Sequence, residues 1–292
     1  MPHLELSWPQ AAVLAAVLAA AALVLIRTRR PRLAATGRFT GEAALLVGLF
    51  GLWQYAGSFS FLPSSGALPR AQWLWDAERW LHLPSETALQ RVFLLHPLII
   101  QFGNLYYAVM HFPVLLGTLA WLFIRHRGDY RRVRTTVVLF TAAALIIQFV
   151  PVAPPRLLTG SGLVDTAVLY SQSVYGTGFD QLSAMPSVHV GWAIIVAIAV
   201  VTAARSRWRW LAVLYPAATT LVVVITANHF WLDGVAAGLL VCGALAVQQA
   251  GRSVRLALLT RAGTRKAATA PEETPGSREP VNTLDLRCFC AA

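Results

Sequence analysis

The chain has 292 residues, 57% of them hydrophobic and only 13% charged, against about 25% charged in a soluble domain. The formal net charge is +11, but the basic residues sit between long apolar runs, which argues against a nucleic-acid partner and for a chain that crosses a bilayer. Of the three cysteines, Cys242 lies in an apolar run and Cys288 and Cys290 lie in the tail, so neither a disulfide framework nor a zinc site is indicated.

Residues 8–26 form an apolar run of spanning length. Arg27, Arg29, Arg30 and Arg32 follow this run instead of preceding it, so it reads as a retained membrane helix and not as a cleaved signal. Residues 39–61 are a second span, with Glu42 near one end. Residues 62–90 carry Trp73, Trp75 and Trp80, with apolar and charged residues alternating at helical spacing around Asp76, Glu78 and Arg79. Two readings stand equally: an amphipathic helix lying among lipid headgroups, or a helix in an ordinary loop. Residues 92–124 are too long for one span and contain Pro97 and Pro113. They predict a short or re-entrant piece over 92–104 and a span over 105–124. Asn104, Tyr106, Tyr107 and His111 read as polar groups satisfied between packed helices, or as the lining of a headgroup pocket.

Residues 135–150 are a fourth span, ending near Ala153-Pro154-Pro155-Arg156-Leu157. A polar connection over 152–182 holds Asp165, Tyr170, Tyr175 and Asp180. Residues 188–204, 210–226 and 230–247 complete seven spans. From Arg252 the chain is basic and then rich in Pro, Glu, Thr and Ala, the composition of a disordered tail. The expected organisation is an N-terminal membrane helix and basic loop over 1–38, a membrane-embedded catalytic domain over 39–250, and a cytoplasmic tail over 251–292.

The loops holding Arg27–Arg38, Arg125–Arg134 and Arg205–Arg209, together with the tail, carry 20 of the 24 Lys and Arg residues. Arg70, Arg79, Arg91 and Arg156 lie on the opposite side. The excess of positive charge predicts an outside N-terminus and a cytoplasmic C-terminus.

Three polar stretches then fall at the outer face. In Ala184-Met185-Pro186-Ser187-Val188-His189-Val190-Gly191, Pro186 fits the turn before a helix and Ser187 fits an N-cap. Such a helix start aims free N–H groups at an anion, with His189 near enough to pass a proton. In Asn228-His229-Phe230-Trp231-Leu232-Asp233, His229 and Asp233 are spaced i and i+4 and share a helical face, so the carboxylate can fix the imidazole tautomer. Arg156 supplies a planar donor fork suited to phosphate oxygens.

Together these stretches resemble the type 2 phosphatidic acid phosphatase superfamily over roughly residues 135–250, with looser similarity from about residue 40. Pro186-Ser187-x-His189 is similar to its second motif, His229-x-x-x-Asp233 to the end of its third, and Arg156 to the arginine of its first. The Ala-Pro-Pro-Arg and Ala-Met-Pro-Ser-x-His forms are closer to the inositol phosphorylceramide synthase branch and its bacterial relatives. The resemblance implies an all-α polytopic membrane bundle, with a six-helix phosphatase-type core plus one N-terminal transmembrane helix. It implies His229 as nucleophile, Asp233 as its orienting partner, His189 as acid and base, and Arg156 and the N–H groups near Ser187 as phosphoryl ligands. No metal or other cofactor is implied. The expected partners are the membrane, a lipid phosphate and, for a transferase, an alcohol or sugar acceptor. The expected location is a bacterial cell membrane with the site extracytoplasmic.

The phosphatase pattern has a lysine where this chain has Phe149, and a Ser-Arg pair where it has Val222 and Val223. One clear cation suits a singly charged phosphodiester better than a monoester or a pyrophosphate, unless Arg70, Arg79 or Arg91 folds over the site. Two other classes compete: a haem protein ligated by pairs from His96, His111, His189 and His229, and a transporter using His229 and Asp233 as a proton relay.

Overall fold

The computed structural model describes residues 7–28, 30–57, 64–172 and 182–268. These form eleven helices: α1 (Trp8–Arg27), α2 (Pro31–Gly57), α3 (Ala67–Trp80), α4 (Glu86–Leu94), α5 (Pro97–Val109), α6 (His111–Arg125), α7 (Arg127–Gln148), α8 (Thr166–Leu169), α9 (Val188–Ala203), α10 (Leu214–Ile225) and α11 (Trp231–Ala268). The chain divides into two compact units, residues 1–248 and 249–292. The second is helical over its described residues, 249–268.

Four stretches are long and apolar enough to cross a membrane: Trp8–Arg27, Pro31–Tyr55, Arg207–Ile225 and Trp231–Arg255. The pair Glu86–Leu94 and Pro97–Val109, bent by 118°, makes a fifth if counted as one, and His111–Arg125 and Val188–Ala203 are shorter apolar helices. Leu23, Val24, Leu98, Ile124 and Leu239 are exposed on these helices, and Ile146 on α7. Outward-facing aliphatic side chains of this kind are at home in lipid, and the whole is an all-α polytopic architecture fitting an integral membrane protein.

Several boundaries differ from the sequence expectation, each for a physical reason. Hydropathy marks only the lipid-soluble part of a helix. Thus α7 begins at Arg127, well before residue 135, and α2 begins at Pro31, where proline's fixed φ suits a first turn. Residues 58–61 of the expected second span lie outside those described, as do Tyr175 and Asp180. The break expected between 104 and 105 falls at Met110, and Pro113 sits in the first turn of α6, where no intrahelical donor is lost. Residues 62–90 hold two helices, separated where His82 takes φ 54°. The stripe Ala67, Ala71, Leu74 and Glu78 is buried against the protein while Trp73 and Trp80 face outward. The tail, expected to be disordered from Arg252, stays helical to Ala268 because that stretch is rich in Ala, Leu and Arg, which favour helix.

Helices α1 and α2 close on one another through small residues. A Cβ at Gly37 would stand 2.8 Å from the Ile26 nitrogen, and one at Gly51 would stand 3.0 Å from the Ala11 Cβ. Glu42 ties α2 to α7 by accepting from the Tyr130 hydroxyl at 2.8 Å and pairing with Arg134. The main core joins α6, α7, α9, α10 and α11 around Leu119, Phe140, Ile195, Val223 and Val241. A second apolar cluster packs α3 against Val152, Ala153, Leu158, Ala184 and Phe230. That cluster lies under the three polar stretches and brings them to one place.

Candidate active site

Backbone hydrogen bonds stitch the three stretches together. Val152 donates to the Leu182 carbonyl at 2.7 Å and accepts from the Ala184 N–H at 3.1 Å, a short parallel bridge beside the Pro-Pro-Arg turn. The Arg156 N–H donates to the Ala227 carbonyl at 3.1 Å, and the Ser187 N–H to the Asp233 carbonyl at 3.2 Å. Each stretch is therefore fixed to another by its main chain, before any side chain is considered.

The His229 turn follows from how α10 ends. Ala227 adopts φ 54°, a left-handed C-terminal cap. The N–H groups of Asn228 and His229 both reach back to the Val223 carbonyl, at 2.9 and 3.2 Å. Helix α11 starts two residues after His229. Asp233, at its third position, accepts the Phe230 N–H at 2.9 Å, the carboxylate half of a capping box.

His229 Nδ1 lies 2.7 Å from the Ala184 carbonyl and 3.3 Å from Asp233 Oδ2. A carbonyl only accepts, so Nδ1 carries the proton and Nε2 carries the lone pair. Nε2 is buried and meets no hydrogen-bond partner among the described residues. The spacing of His229 and Asp233 is legible in the sequence, but the shorter bond, to the Ala184 carbonyl, is not. It comes from the second motif, 45 residues away.

His189, in the first turn of α9, has its ring centroid 5.7 Å from that of His229. Ser187 caps the same helix, its Oγ accepting from the Val190 N–H at 3.4 Å. The hydroxyl is thus used in capping, while the N–H groups of Val188 and His189 are first-turn donors without an intrahelical acceptor. The Tyr107 ring leans on His189 at 4.4 Å, and the His111 ring stands edge-on to His189 at 4.5 Å. His111 is 3% exposed. Among the described residues neither of its nitrogens meets a partner in good geometry, although the Tyr107 carbonyl lies nearby. Sequence reasoning left Tyr107 and His111 undecided. The available signal was their position at the start of an expected span, on the side expected for His189.

Arg156 donates from Nη1 to Asn228 Oδ1, and its Nε lies 3.4 Å from Asp165 Oδ2. Asn228 in turn donates to Thr226 Oγ1 at 2.8 Å. The guanidinium thereby braces the residue before His229. Lysine has no planar fork, so Arg156→Lys is expected to lower kcat/KM by about tenfold or more. Steady-state kinetics on the purified variant check this. Of the arginines expected on the same side as Arg156, Arg79 is paired with Glu86, and Arg70 donates from Nε to the Pro151 carbonyl at 2.6 Å. Val223, where the phosphatase pattern has a cation, is packed in the main core. Among the described residues, no three His, Cys, Asp or Glu side chains are grouped to hold a metal ion.

The sequence profile of the PAP2 superfamily matches residues 72–247, more than half of the chain. No curated protein and no solved structure matches. The match contains Arg156, Ser187, His189, His229 and Asp233 together with the turns that join them. This chain belongs to the PAP2 superfamily.

Proposed function

We propose that the chain is a membrane phosphoesterase that cleaves a lipid phosphodiester at the extracytoplasmic face through a phosphohistidine, passing the phosphoryl group to water or an alcohol. Membership of the superfamily points to a membrane phosphatase-type function. The single observation that carries the finer reading is the His229 ring, held through Nδ1 by two acceptors, with Nε2 unpartnered among the described residues and a second imidazole 5.7 Å away, centroid to centroid.

In this reading the Nε2 lone pair attacks phosphorus. The ester P–O bond breaks, its electron pair leaves with the oxygen, and His189 protonates that oxygen. The charge that appears on the His229 ring is met by Asp233 and the Ala184 carbonyl. Neutral His189 next takes a proton from water or alcohol, whose oxygen attacks phosphorus, and the N–P pair returns to Nε2. The Val188 and His189 N–H groups face the phosphoryl oxygens as the donors at a helix start. Phe149, Val222 and Val223 supply no cation, and Arg79 is occupied by Glu86, which favours a singly charged diester.

A plain lipid phosphate or polyprenyl pyrophosphate phosphatase is the second reading, favoured by the superfamily itself. Purified protein supplied with phosphatidylinositol, phosphatidic acid and polyprenyl pyrophosphate separates the two. Release or transfer of the inositol phosphate headgroup is the expected result. Phosphate release from the last two lipids alone rejects the diester reading.

A further inference from the structure

Glu78 and Glu86 are both 0% exposed, an unusual state for two acidic side chains. Glu78, on α3, accepts the Leu232 N–H at 2.8 Å through Oε1. Leu232 is in the first turn of α11, directly before Asp233. Glu86, in the first turn of α4, is paired through Oε2 with Arg79. The remaining oxygen of each, Glu78 Oε2 and Glu86 Oε1, meets no donor among the described residues. The connection between α3 and α4 folds back on the end of α3, the Leu83 N–H donating to the Glu78 carbonyl at 3.0 Å, and the neighbouring Glu86 is one of the causes that push the Glu78 carboxyl up. Two neighbouring buried carboxylates repel unless a proton lies between them, and one proton held there would give each orphan oxygen a partner.

From this we infer that Glu78 and Glu86 share one proton and act as a positioning pair, holding the first turn of α11 so that Asp233 and His229 keep their alignment. The inference rests on the phosphohistidine reading. The hold has a second point nearby, since the Trp231 Nε1–H donates to the Pro84 carbonyl at 2.9 Å, in the connection between α3 and α4. The first turn of α11 is therefore gripped at Trp231 and Leu232 from one hairpin, while Asp233 bonds inward to Phe230 and His229.

Burial pushes the Glu78 carboxyl up to about 9, with the neighbouring Glu86 and the more distant charge of Asp233 adding to the rise and the Leu232 N–H opposing it. The charged and titratable groups facing the pair are Arg79 on α3, Asp233 on α11 and, beyond it, His229. Ionising the pair fully would set three carboxylates around one helix start with a single arginine to offset them. Repulsion between Glu78 and Glu86 would then open the contact. The sign for stability follows. The folded chain holds this proton up to about 9, whereas the unfolded chain releases it near the ordinary value of 4.5, so stability falls progressively as pH rises between those values.

The test uses the full chain in detergent and compares Glu78→Gln with Glu78→Ala. The glutamine oxygen can still accept from Leu232, and its amide donates permanently to Glu86, imitating the protonated acid. Glu78→Gln is expected to hold kcat within about threefold at neutral pH and to lose the decline of kcat near pH 9, whereas Glu78→Ala lowers kcat by about tenfold or more with little change in KM. Nitrogen-15 NMR of the His229 ring, recorded without substrate, is expected to show the Nδ1–H tautomer kept in Glu78→Gln and mixed in Glu78→Ala. Equal loss in both variants, or an unchanged alkaline limb in Glu78→Gln, overturns the inference. If wild-type protein traps no phosphohistidine with any lipid, the functional reading falls instead, and the NMR comparison alone decides whether the pair positions His229.

Discussion

His229→Ala is expected to abolish the acid-labile phosphoprotein and to lower kcat/KM by at least about a hundredfold, roughly 2.7 kcal/mol of transition-state stabilisation or more. The size of the effect follows from the geometry. His229 offers an imidazole nitrogen with no partner among the described residues, and its tautomer is set by the Ala184 carbonyl at 2.7 Å and Asp233 at 3.3 Å. In the proposed mechanism alanine removes the atom that forms the covalent intermediate, and no shift of its neighbours restores it. His189→Ala behaves differently, because the leaving oxygen can still be protonated, slowly, by water. Substrate with a good leaving group is therefore expected to recover much of the His189→Ala loss and none of the His229→Ala loss. Rapid quenching with labelled lipid, followed by alkaline gel analysis, reads the intermediate directly. Normal labelling of His229→Ala would end the proposed mechanism.

Much of this arrangement was legible in the residues. The i, i+4 spacing of His229 and Asp233 and the Pro-Ser start before His189 are local patterns, and local patterns survive the passage from sequence to structure. The fold class was legible for the same reason, since apolar runs of spanning length admit few alternatives to helices. What could not be read depends on long-range pairing. The carbonyl that holds His229 belongs to Ala184, a residue with no side-chain chemistry to mark it. Asn228 gains its place only because Arg156 comes to it from 72 residues away. Glu78 looked like the polar side of an amphipathic helix, because charged residues on such a pattern normally face water. Its burial becomes intelligible only when the start of α11 is laid against α3, where Leu232 presents a first-turn N–H with no intrahelical acceptor. The break at Met110 was hidden by the apolar residues on both sides of it.

Gly191→Ala is expected to be the most damaging small substitution in the described structure. In an ordinary helix this change stabilises by up to about 1 kcal/mol, because alanine is the better helix former. Here the added Cβ would stand 1.9 Å from Phe140 Cζ and 2.5 and 2.6 Å from its Cε atoms. Contacts that short cannot exist, so either the Phe140 ring or the start of α9 must move. Phe140 is 0% exposed and enclosed in the main core, and a packed interior has no void to receive a displaced ring. The penalty for overpacking, about 1–3 kcal/mol or more, exceeds the gain in helix propensity, and the sign reverses. The first turn of α9 yields more easily, because at Ser187 it is held by single hydrogen bonds. That displacement would carry His189 away from His229 and would loosen the Ser187 N–H bond to the Asp233 carbonyl. Gly191→Ala should therefore lose activity together with several degrees of melting temperature in detergent. Phe140→Leu restores room beside Gly191, so the double variant should melt above Gly191→Ala alone, a coupling of about 1 kcal/mol or more between touching sites. Additive losses in the cycle, or a Gly191→Ala protein that melts with the wild type and turns over normally, would show that α9 is not seated against Phe140, and the positions assigned to Ser187 and His189 would go with it.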